Sequence, residues 1–226
     1  QQVENLVDLC GKRCKKFEDR ELFGTKTDGA WKWNTYGEFE QLVSDFRGGL
    51  ASLGVGAGDK VGMIANNRVE WAVAAYATYG LGAAFVPMYE AQKADEWRFI
   101  LDDCGAKVAI GATPDIYKKL QGLKDQVPSL EHVIGLEEPE SDDHSYAALL
   151  KKGAASPKAA VHPKDGDTAG LIYTSGTTGN PKGVILSHGN ICSNINAIHA
   201  IFPFETSDRS LSFLPWAHSF GQTCEL

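Results

Sequence analysis

The chain has 226 residues, of which 22 are basic and 29 are acidic, so its formal net charge is −7. This acidic balance argues against a nucleic-acid-binding protein, because such proteins carry a basic surplus or a basic stripe, and we expect no nucleic-acid partner. The length suits one large α/β domain or two small ones, and either can bury a substantial core.

The five cysteines are scattered, and no CxxC pair occurs. Cys10 and Cys14 lie four residues apart, but no His or second Cys pair completes a zinc set, so we predict no metal-ligating residues. We interpret all five as free thiols in a reducing cytosol, which favours a cytoplasmic protein. The first residues show no basic-then-apolar leader and therefore do not support secretion.

Helical and extended patterns alternate from the first residues onward. A helix is predicted over residues 5–17, followed by two strands joined by a turn at Asp28-Gly29. Thr35 and Glu38 form a capping-box pattern at the start of a second helix. Further strands are predicted over residues 60–65, 84–86, 107–110 and 132–135, and further helices over 69–79, over 95–103 and from Pro114 onward. This alternation indicates βαβ units around a largely parallel sheet.

One uncharged stretch, residues 71–89, approaches the length of a membrane span. Two glycines and Pro87 interrupt it, so we interpret it as a buried helix followed by a buried strand.

The second half of the chain is set off by a change in composition. Residues 137–143 are acidic and predict a loop, and residues 154–167 are rich in proline, glycine and small residues. We therefore divide the chain into a first α/β portion (1–153), a connector (154–167) and a portion with the motif described next (168–226). In that last portion we predict strands over 168–174 and 184–187, a helix over 190–201 and an extended segment over 210–214.

A glycine-rich segment, YTSGTTGNPKG, occupies residues 173–183. Its glycines let the backbone approach a ligand closely, and successive N–H groups in such a loop can form a concave anion site. Several hydroxyls add donors, and Lys182 adds a cation of the kind that binds phosphate. The spacing fits neither a Walker loop, whose second glycine is replaced by Pro181, nor the GxGxxG fingerprint. The segment predicts a cradle for a di- or triphosphate.

The sequence YTSGTTGNPKGVILSH resembles the signature of the adenylate-forming (AMP-binding) superfamily, which contains acyl-CoA synthetases, luciferases and the adenylation domains of peptide synthetases. Residues 33–90 and 212–221 also resemble these enzymes, and fatty acyl-CoA synthetases (long-chain-fatty-acid–CoA ligases) in particular. The resemblance implies an α/β fold, namely the large N-terminal domain of the adenylate-forming fold, with mostly parallel sheets flanked by helices. It also implies that this domain is truncated here and that the C-terminal domain is absent.

The resemblance implies a two-step reaction. A fatty carboxylate attacks the α-phosphate of ATP to give acyl-AMP and pyrophosphate, and coenzyme A then displaces AMP. ATP, Mg²⁺ and coenzyme A are thus implied, with Thr174 and Lys182 in a catalytic role at the leaving pyrophosphate. The implied phosphate-binding residues are Thr174, Ser175, Gly176, Thr177, Thr178, Gly179 and Lys182. His218 and Trp216 are implied to line the acyl pocket, with a structural histidine and core packing as the respective alternatives.

The sequence leaves the acyl chain length, the activity of this piece alone and its partners undecided. Long-chain members often carry an acidic residue where Gly221 stands, so the acyl chain length is undecided. The family's later adenine and ribose blocks and its C-terminal lysine have no counterpart in these residues, so we expect an N-terminal piece that is inactive alone. Another acid ligase for aryl or amino acids, a non-catalytic nucleotide-binding module and a purely structural domain are the alternatives. Peripheral membrane contact and a homodimer are both compatible with the resemblance.

Overall fold

The computed structural model describes residues 3–174 and 181–225. Two strands form a separate antiparallel hairpin, β1 (Glu21–Thr27) and β2 (Ala30–Thr35). The other strands form one sheet: β3 (Lys60–Ile64), β4 (Ala84–Met88), β5 (Val108–Gly111), β6 (His132–Gly135), β7 (Thr168–Thr174) and β8 (Lys182–Ser187). The helices are α1 (Leu6–Lys16), α2 (Tyr36–Ser52), α3 (Val69–Tyr79), α4 (Ala94–Asp103), α5 (Pro114–Leu123), α6 (Tyr146–Ala155), α7 (His188–Ile201) and α8 (Ser219–Cys224).

The six-stranded sheet has the order β6-β5-β3-β4-β7-β8. Its strands are parallel except β8, which runs antiparallel to β7. The predicted, largely parallel α/β sheet is therefore confirmed. Strands from both sides of the predicted connector build this one sheet, because β7 pairs with β4. The carboxyl ends of the five parallel strands share one edge, where ligands bind in open α/β sheets.

The centre of the sheet is buried on both faces, as is usual when helices cover a parallel sheet. Every residue of β4 and β5 is buried, and α3 packs Trp71 and Tyr79 into the core. The uncharged stretch therefore folds as predicted, into a buried helix and a buried strand. In the part of the chain that the structure describes, no helix combines the length and apolar character needed to cross a membrane.

The start of α2 confirms the predicted capping box. The backbone N–H of Glu38 donates to Thr35 Oγ1 at 3.1 Å, and the backbone N–H of Thr35 donates to Glu38 Oε2 at 2.8 Å. These two bonds satisfy donors that an uncapped helix start would leave without partners. The α5 helix begins at Pro114, as predicted, after a Thr113 cap.

The α6 helix was not predicted from the sequence. It has only ten residues and contains Gly153, so its intrinsic tendency to form a helix is low. Its buried residues dock against α2, where Phe46 packs on Tyr146 with 4.9 Å between ring centres. Packing against a neighbouring helix, rather than local propensity, therefore stabilises α6.

The extended segment predicted over residues 210–214 is not a strand of either sheet. Its backbone instead bonds to side chains: the N–H of Leu214 donates to the Glu225 carboxylate at 3.2 Å, and its carbonyl accepts from Asn67. The short helix α8 follows, also unpredicted. The structure has all five cysteines as free thiols.

Candidate active site

Two of the predicted phosphate-binding residues lie opposite each other at one end of the β7–β8 pair. Thr174 is the last residue of β7 and pairs with Lys182, the first residue of β8. Both are exposed, and directly opposed residues of an antiparallel pair have Cβ atoms about 5 Å apart. Lys182 thus projects from a strand rather than from a loop. The other predicted phosphate-binding residues lie outside the described residues, and their roles stay predictions: Ser175, Gly176, Thr177, Thr178 and Gly179.

The end of β7 is anchored by Tyr173. Its hydroxyl donates to Asp103 Oδ2 at 2.6 Å, which ties β7 to the last residue of α4. Burial and this hydrogen bond raise the pKa of Tyr173, so the phenol stays protonated. A Cβ atom on Gly183 would lie 2.9 Å from Tyr173 Cζ, so glycine is needed where the ring crosses β8. These contacts fix the strand end from which Thr174 projects.

An apolar pocket of about 350 Å³ lies at the same edge of the sheet. It is lined by Tyr89, Leu214, Pro215, His218, Phe220 and Gly221. Tyr89 directly follows β4, and β4 pairs in parallel with β7 through Phe85 and Gly170. Extending this register by four residues aligns Tyr89 with Thr174. The apolar pocket and Thr174 therefore lie at the same carboxyl-terminal edge of the sheet.

His218 lines this pocket and also caps α8. Its Nδ1 accepts a hydrogen bond from the backbone N–H of Phe220 at 3.2 Å. In a neutral imidazole, this arrangement leaves the proton on Nε2. His218 is thus both a helix cap and a pocket residue, and its substrate role stays a prediction.

Trp216, the second predicted pocket residue, lies in the core. Its ring packs edge-on against Trp71 with 5.6 Å between ring centres, and its Nε1 donates to Ser212 Oγ at 2.9 Å. It is 4% exposed and is not among the residues that line the pocket. Its backbone nevertheless belongs to the segment that forms one pocket wall.

His188 lies away from the pocket, at the start of α7. It is 1% exposed, and its Nδ1 accepts from the backbone N–H of Leu6 at 3.3 Å. Burial lowers its pKa, because the charged imidazolium would lose its hydration. The neutral ring therefore links α1 to α7.

Sequence reasoning missed three residues that shape this edge of the sheet. They are Tyr89 in the pocket, Asn67 beside it and Asp103 beneath Tyr173. Tyr89 and Asn67 follow buried strands closely, and the rule that ligands bind at the carboxyl ends of parallel strands was a usable signal for both. Asp103 had no comparable signal, because its partner is 70 residues away in sequence.

The comparisons with known proteins agree with the family resemblance of residues 173–188. The sequence matches the family described as AMP-binding enzyme over residues 11–226. Long chain acyl-CoA synthetase 6, peroxisomal, from Arabidopsis thaliana is 33% identical, over 93% of this chain and 32% of its own length. Long-chain-fatty-acid–CoA ligase FadD15 from Mycobacterium tuberculosis is 34% identical, over 99% of this chain and 38% of its own length.

Solved structures agree with the sequence relatives. The inhibitor-bound N-terminal domain of FACL13 from Mycobacterium tuberculosis matches with a TM-score of 0.83 at 27% identity. The match covers 98% of this chain and 54% of that chain. The chain spans about a third of the length of the curated relatives it matches.

Proposed function

The chain belongs to the AMP-binding enzyme family, and from that premise we propose that the whole protein is a fatty acid–CoA ligase. It joins a fatty carboxylate to the AMP part of ATP, releases pyrophosphate, and then transfers the acyl group to the thiol of coenzyme A with release of AMP. Relatives that carry the names long chain acyl-CoA synthetase and long-chain-fatty-acid–CoA ligase support a fatty acid as the substrate.

One observation carries the proposal: an apolar pocket lies at the same edge of the sheet as a hydroxyl and a cation. A fatty acid needs an apolar space for its chain, and ATP needs donors and positive charge for its phosphates. Tyr89, in the pocket wall, directly follows β4, and Thr174 ends the parallel neighbouring strand β7, with Lys182 directly across from it. This neighbourhood supports a reaction in which a carboxylate at the pocket mouth meets the α-phosphate.

The residues of this chain contribute binding and charge stabilisation. We propose that the hydroxyl of Thr174 donates to a phosphate oxygen and that the ammonium group of Lys182 balances the negative charge growing on the leaving pyrophosphate. Preorganised donors of this type contribute about 3 kcal/mol each to lowering a barrier. The apolar pocket holds the acyl chain and excludes water from it.

Mg²⁺ belongs to the proposal as a partner of the ATP phosphates. Among residues 3–174 and 181–225, no three His, Cys, Asp or Glu side chains come together to hold a metal ion. Magnesium is often bound largely through substrate phosphates, and no step above is assigned to it.

Cytoplasmic location, peripheral membrane contact and a homodimer are also retained as proposals. Free thiols support the first of these. Lipid substrates make the second chemically reasonable. Exposed Phe202, Phe204, Leu211 and Phe213 offer apolar surface for either of the last two.

The test is Lys182→Ala in the whole protein, assayed for pyrophosphate release with palmitate, ATP, Mg²⁺ and coenzyme A. Loss of one catalytic phosphate donor predicts a fall in kcat of about 10²–10³-fold. Lys119→Ala is the matched control, because Lys119 is an exposed lysine on α5 that pairs with Asp115 at 2.7 Å. Equal rates for the wild type and Lys182→Ala, or wild-type protein that activates no fatty acid, would refute the proposal.

A further inference from the structure

None of the residues that line the apolar pocket belongs to a strand: the pocket lies between the loop after β4 and residues 214–221, of which Phe220 and Gly221 are on α8. One wall is Tyr89, directly after β4, and the other is the irregular segment that contains Leu214, Pro215 and His218. A loop wall has no strand ladder to fix its position. The distance between the two walls therefore depends on the side chains that hold each loop.

One side chain, Asn67, holds the second wall on both sides of Pro215. Its Nδ2 donates to the carbonyl oxygen of Leu214 at 2.7 Å, and its Oδ1 accepts from the backbone N–H of Trp216 at 2.9 Å. Proline has no N–H of its own. The single amide of Asn67 thus satisfies the carbonyl before Pro215 and the N–H after it.

Three further contacts hold the same segment, residues 212–216, through Ser212 and Glu225. Asn67 Nδ2 also lies 3.2 Å from Ser212 Oγ, and that hydroxyl donates to Glu225 Oε2 at 2.6 Å. Glu225 in turn accepts from the backbone N–H of Leu214. The wall is therefore held at two points, one on the loop after β3 and one just beyond α8.

The residue beside Asn67 holds the opposite wall. The backbone N–H of Asn66 donates to Glu90 Oε1 at 2.8 Å, and Asn66 Nδ2 donates to Glu90 Oε2 at 2.9 Å. Glu90 directly follows Tyr89, the residue that lines the pocket. Two neighbouring asparagines at the carboxyl end of β3 thus connect to both walls of the pocket.

We propose that Asn67 is a positioning residue that fixes the width of the acyl pocket and thereby determines which acyl chains the enzyme accepts. This inference rests on the proposed function, because it assigns the pocket to the acyl chain. Asn67 acts through the backbone of residues 214–216 and is not itself among the residues that line this pocket.

The chain offers a closely matched control, Asn196 on α7. Its Oδ1 accepts from the backbone N–H of Val3 at 3.1 Å, and its Nδ2 donates to the Val3 carbonyl at 3.0 Å. Asn196 is half-buried, as Asn67 is, and makes the same two-sided backbone contact. Val3 does not line the pocket. Replacing Asn67 removes two side chain–backbone hydrogen bonds at the pocket wall, and replacing Asn196 removes two such bonds away from the pocket.

The experiment compares Asn67→Ala and Asn196→Ala with the wild type in the whole protein. KM and kcat are measured for octanoate, laurate, palmitate and stearate, together with KM for ATP. For Asn67→Ala we expect KM for the preferred acid to rise about tenfold and the preference among the four acids to flatten. We expect kcat at saturating acid and KM for ATP to change less than twofold. For Asn196→Ala we expect the preference among acids to match the wild type.

Two further measurements keep the test decisive. Asn67→Asp conserves side-chain size but sets an oxygen against the Leu214 carbonyl, so it should flatten the acid preference while remaining folded. Hydrogen–deuterium exchange should speed up over residues 212–218 in both Asn67 variants and not in Asn196→Ala.

The possible results separate the two proposals. A wild-type protein that activates no fatty acid overturns the proposed function and the pocket assignment with it. An active wild type whose Asn67 variants keep its KM values and acid preference overturns only the positioning role, as does unchanged exchange over residues 212–218. A KM for ATP that rises as much as the KM for the acid points to general loosening and also overturns it.

Discussion

The crossing of α2 and α6 allows a sharp prediction about a single methyl group. The helices meet through glycines: a Cβ on Gly48 would lie 2.6 Å from the Cα of Gly153, and a Cβ on Gly49 would lie 2.5 Å from the Leu149 carbonyl oxygen. A Cβ on Gly153 would overlap the Asp45 carbonyl oxygen and lie 2.6 Å from the nitrogen of Gly49. Because the opposing atoms are backbone atoms, Gly153→Ala must push the two helices apart.

The cost follows from what the separation would loosen. Phe46, Tyr146 and Leu149 are buried at this crossing, and burial of side chains of this size contributes about 1.5–3 kcal/mol each. A gap of 0.5–1 Å forfeits roughly a quarter to a half of a dispersion contact, which for the three side chains, at the midpoints of both ranges, amounts to about 2.5 kcal/mol. Alanine returns at most about 1 kcal/mol through its higher helix propensity. We expect a net loss of about 1–2 kcal/mol in the free energy of unfolding.

Urea unfolding followed by far-UV circular dichroism measures this effect, and Gly11→Ala is the control. Gly11 lies within α1, and a Cβ there would meet nothing within 4 Å. With a slope of about 2 kcal/mol per molar urea, Gly153→Ala should lower the midpoint by about 0.5–1 M. Gly11→Ala should leave the midpoint unchanged or raise it. If Gly153→Ala unfolds at the same midpoint as Gly11→Ala, the close helix crossing is wrong.

Two further predictions concern stability. Burial lowers the pKa of His188, so below about pH 6.5 the unfolded state takes up a proton that the folded state does not, and the free energy of unfolding decreases as the pH is lowered. This free energy should therefore drop less between pH 7 and 5.5 in His188→Asn than in the wild type. Equal slopes would contradict a buried neutral ring. Thr35→Ala removes the cap of α2 and should cost about 1 kcal/mol by urea unfolding, whereas Thr206→Ala, at an exposed turn, should cost less than half as much; equal losses would count against the capping box.

The sequence predicted elements where local chemistry decides structure. The capping box at Thr35, the helix start at Pro114 and the strand over 132–135 all rest on short-range rules, and the structure has each of them. The α6 helix rests on Gly153 docking against α2, about a hundred residues earlier in the chain. No local pattern contains such a contact, so the helix was missed. For the same reason the sequence predicts residues 210–214 as an extended segment but does not reveal that side chains, Asn67 and Glu225, are the partners of Leu214.

In the candidate site, too, local sequence predicted some residues, and tertiary structure determines the positions of others. Thr174 and Lys182 were predicted because they belong to a distinctive glycine-rich segment. The structure adds that they lie directly opposite each other on paired strands. The pocket residues were predictable only in part. His218 came from the family resemblance, whereas Tyr89 and Asn67 acquire their positions from the sheet order, which brings the ends of β3, β4 and β7 to one edge. Sheet order is a tertiary property and is not written in any single segment.

The two halves of the site differ in how they are held. At the proposed phosphate half, the exposed Thr174 and Lys182 stand on paired strands that Tyr173 ties to α4 through Asp103, so a change at Tyr173 or Gly183 disturbs the sheet. At the proposed acyl half, Tyr89 and residues 214–218 lie outside the strands and helices, and polar side chains such as Asn67 and Glu225 hold residue 214. Substitutions in those loops can alter the pocket without disturbing a core strand. We therefore expect substitutions at the loop walls to change acid preference at little cost in stability, whereas substitutions at Tyr173 or Gly183 should reduce stability and activity together.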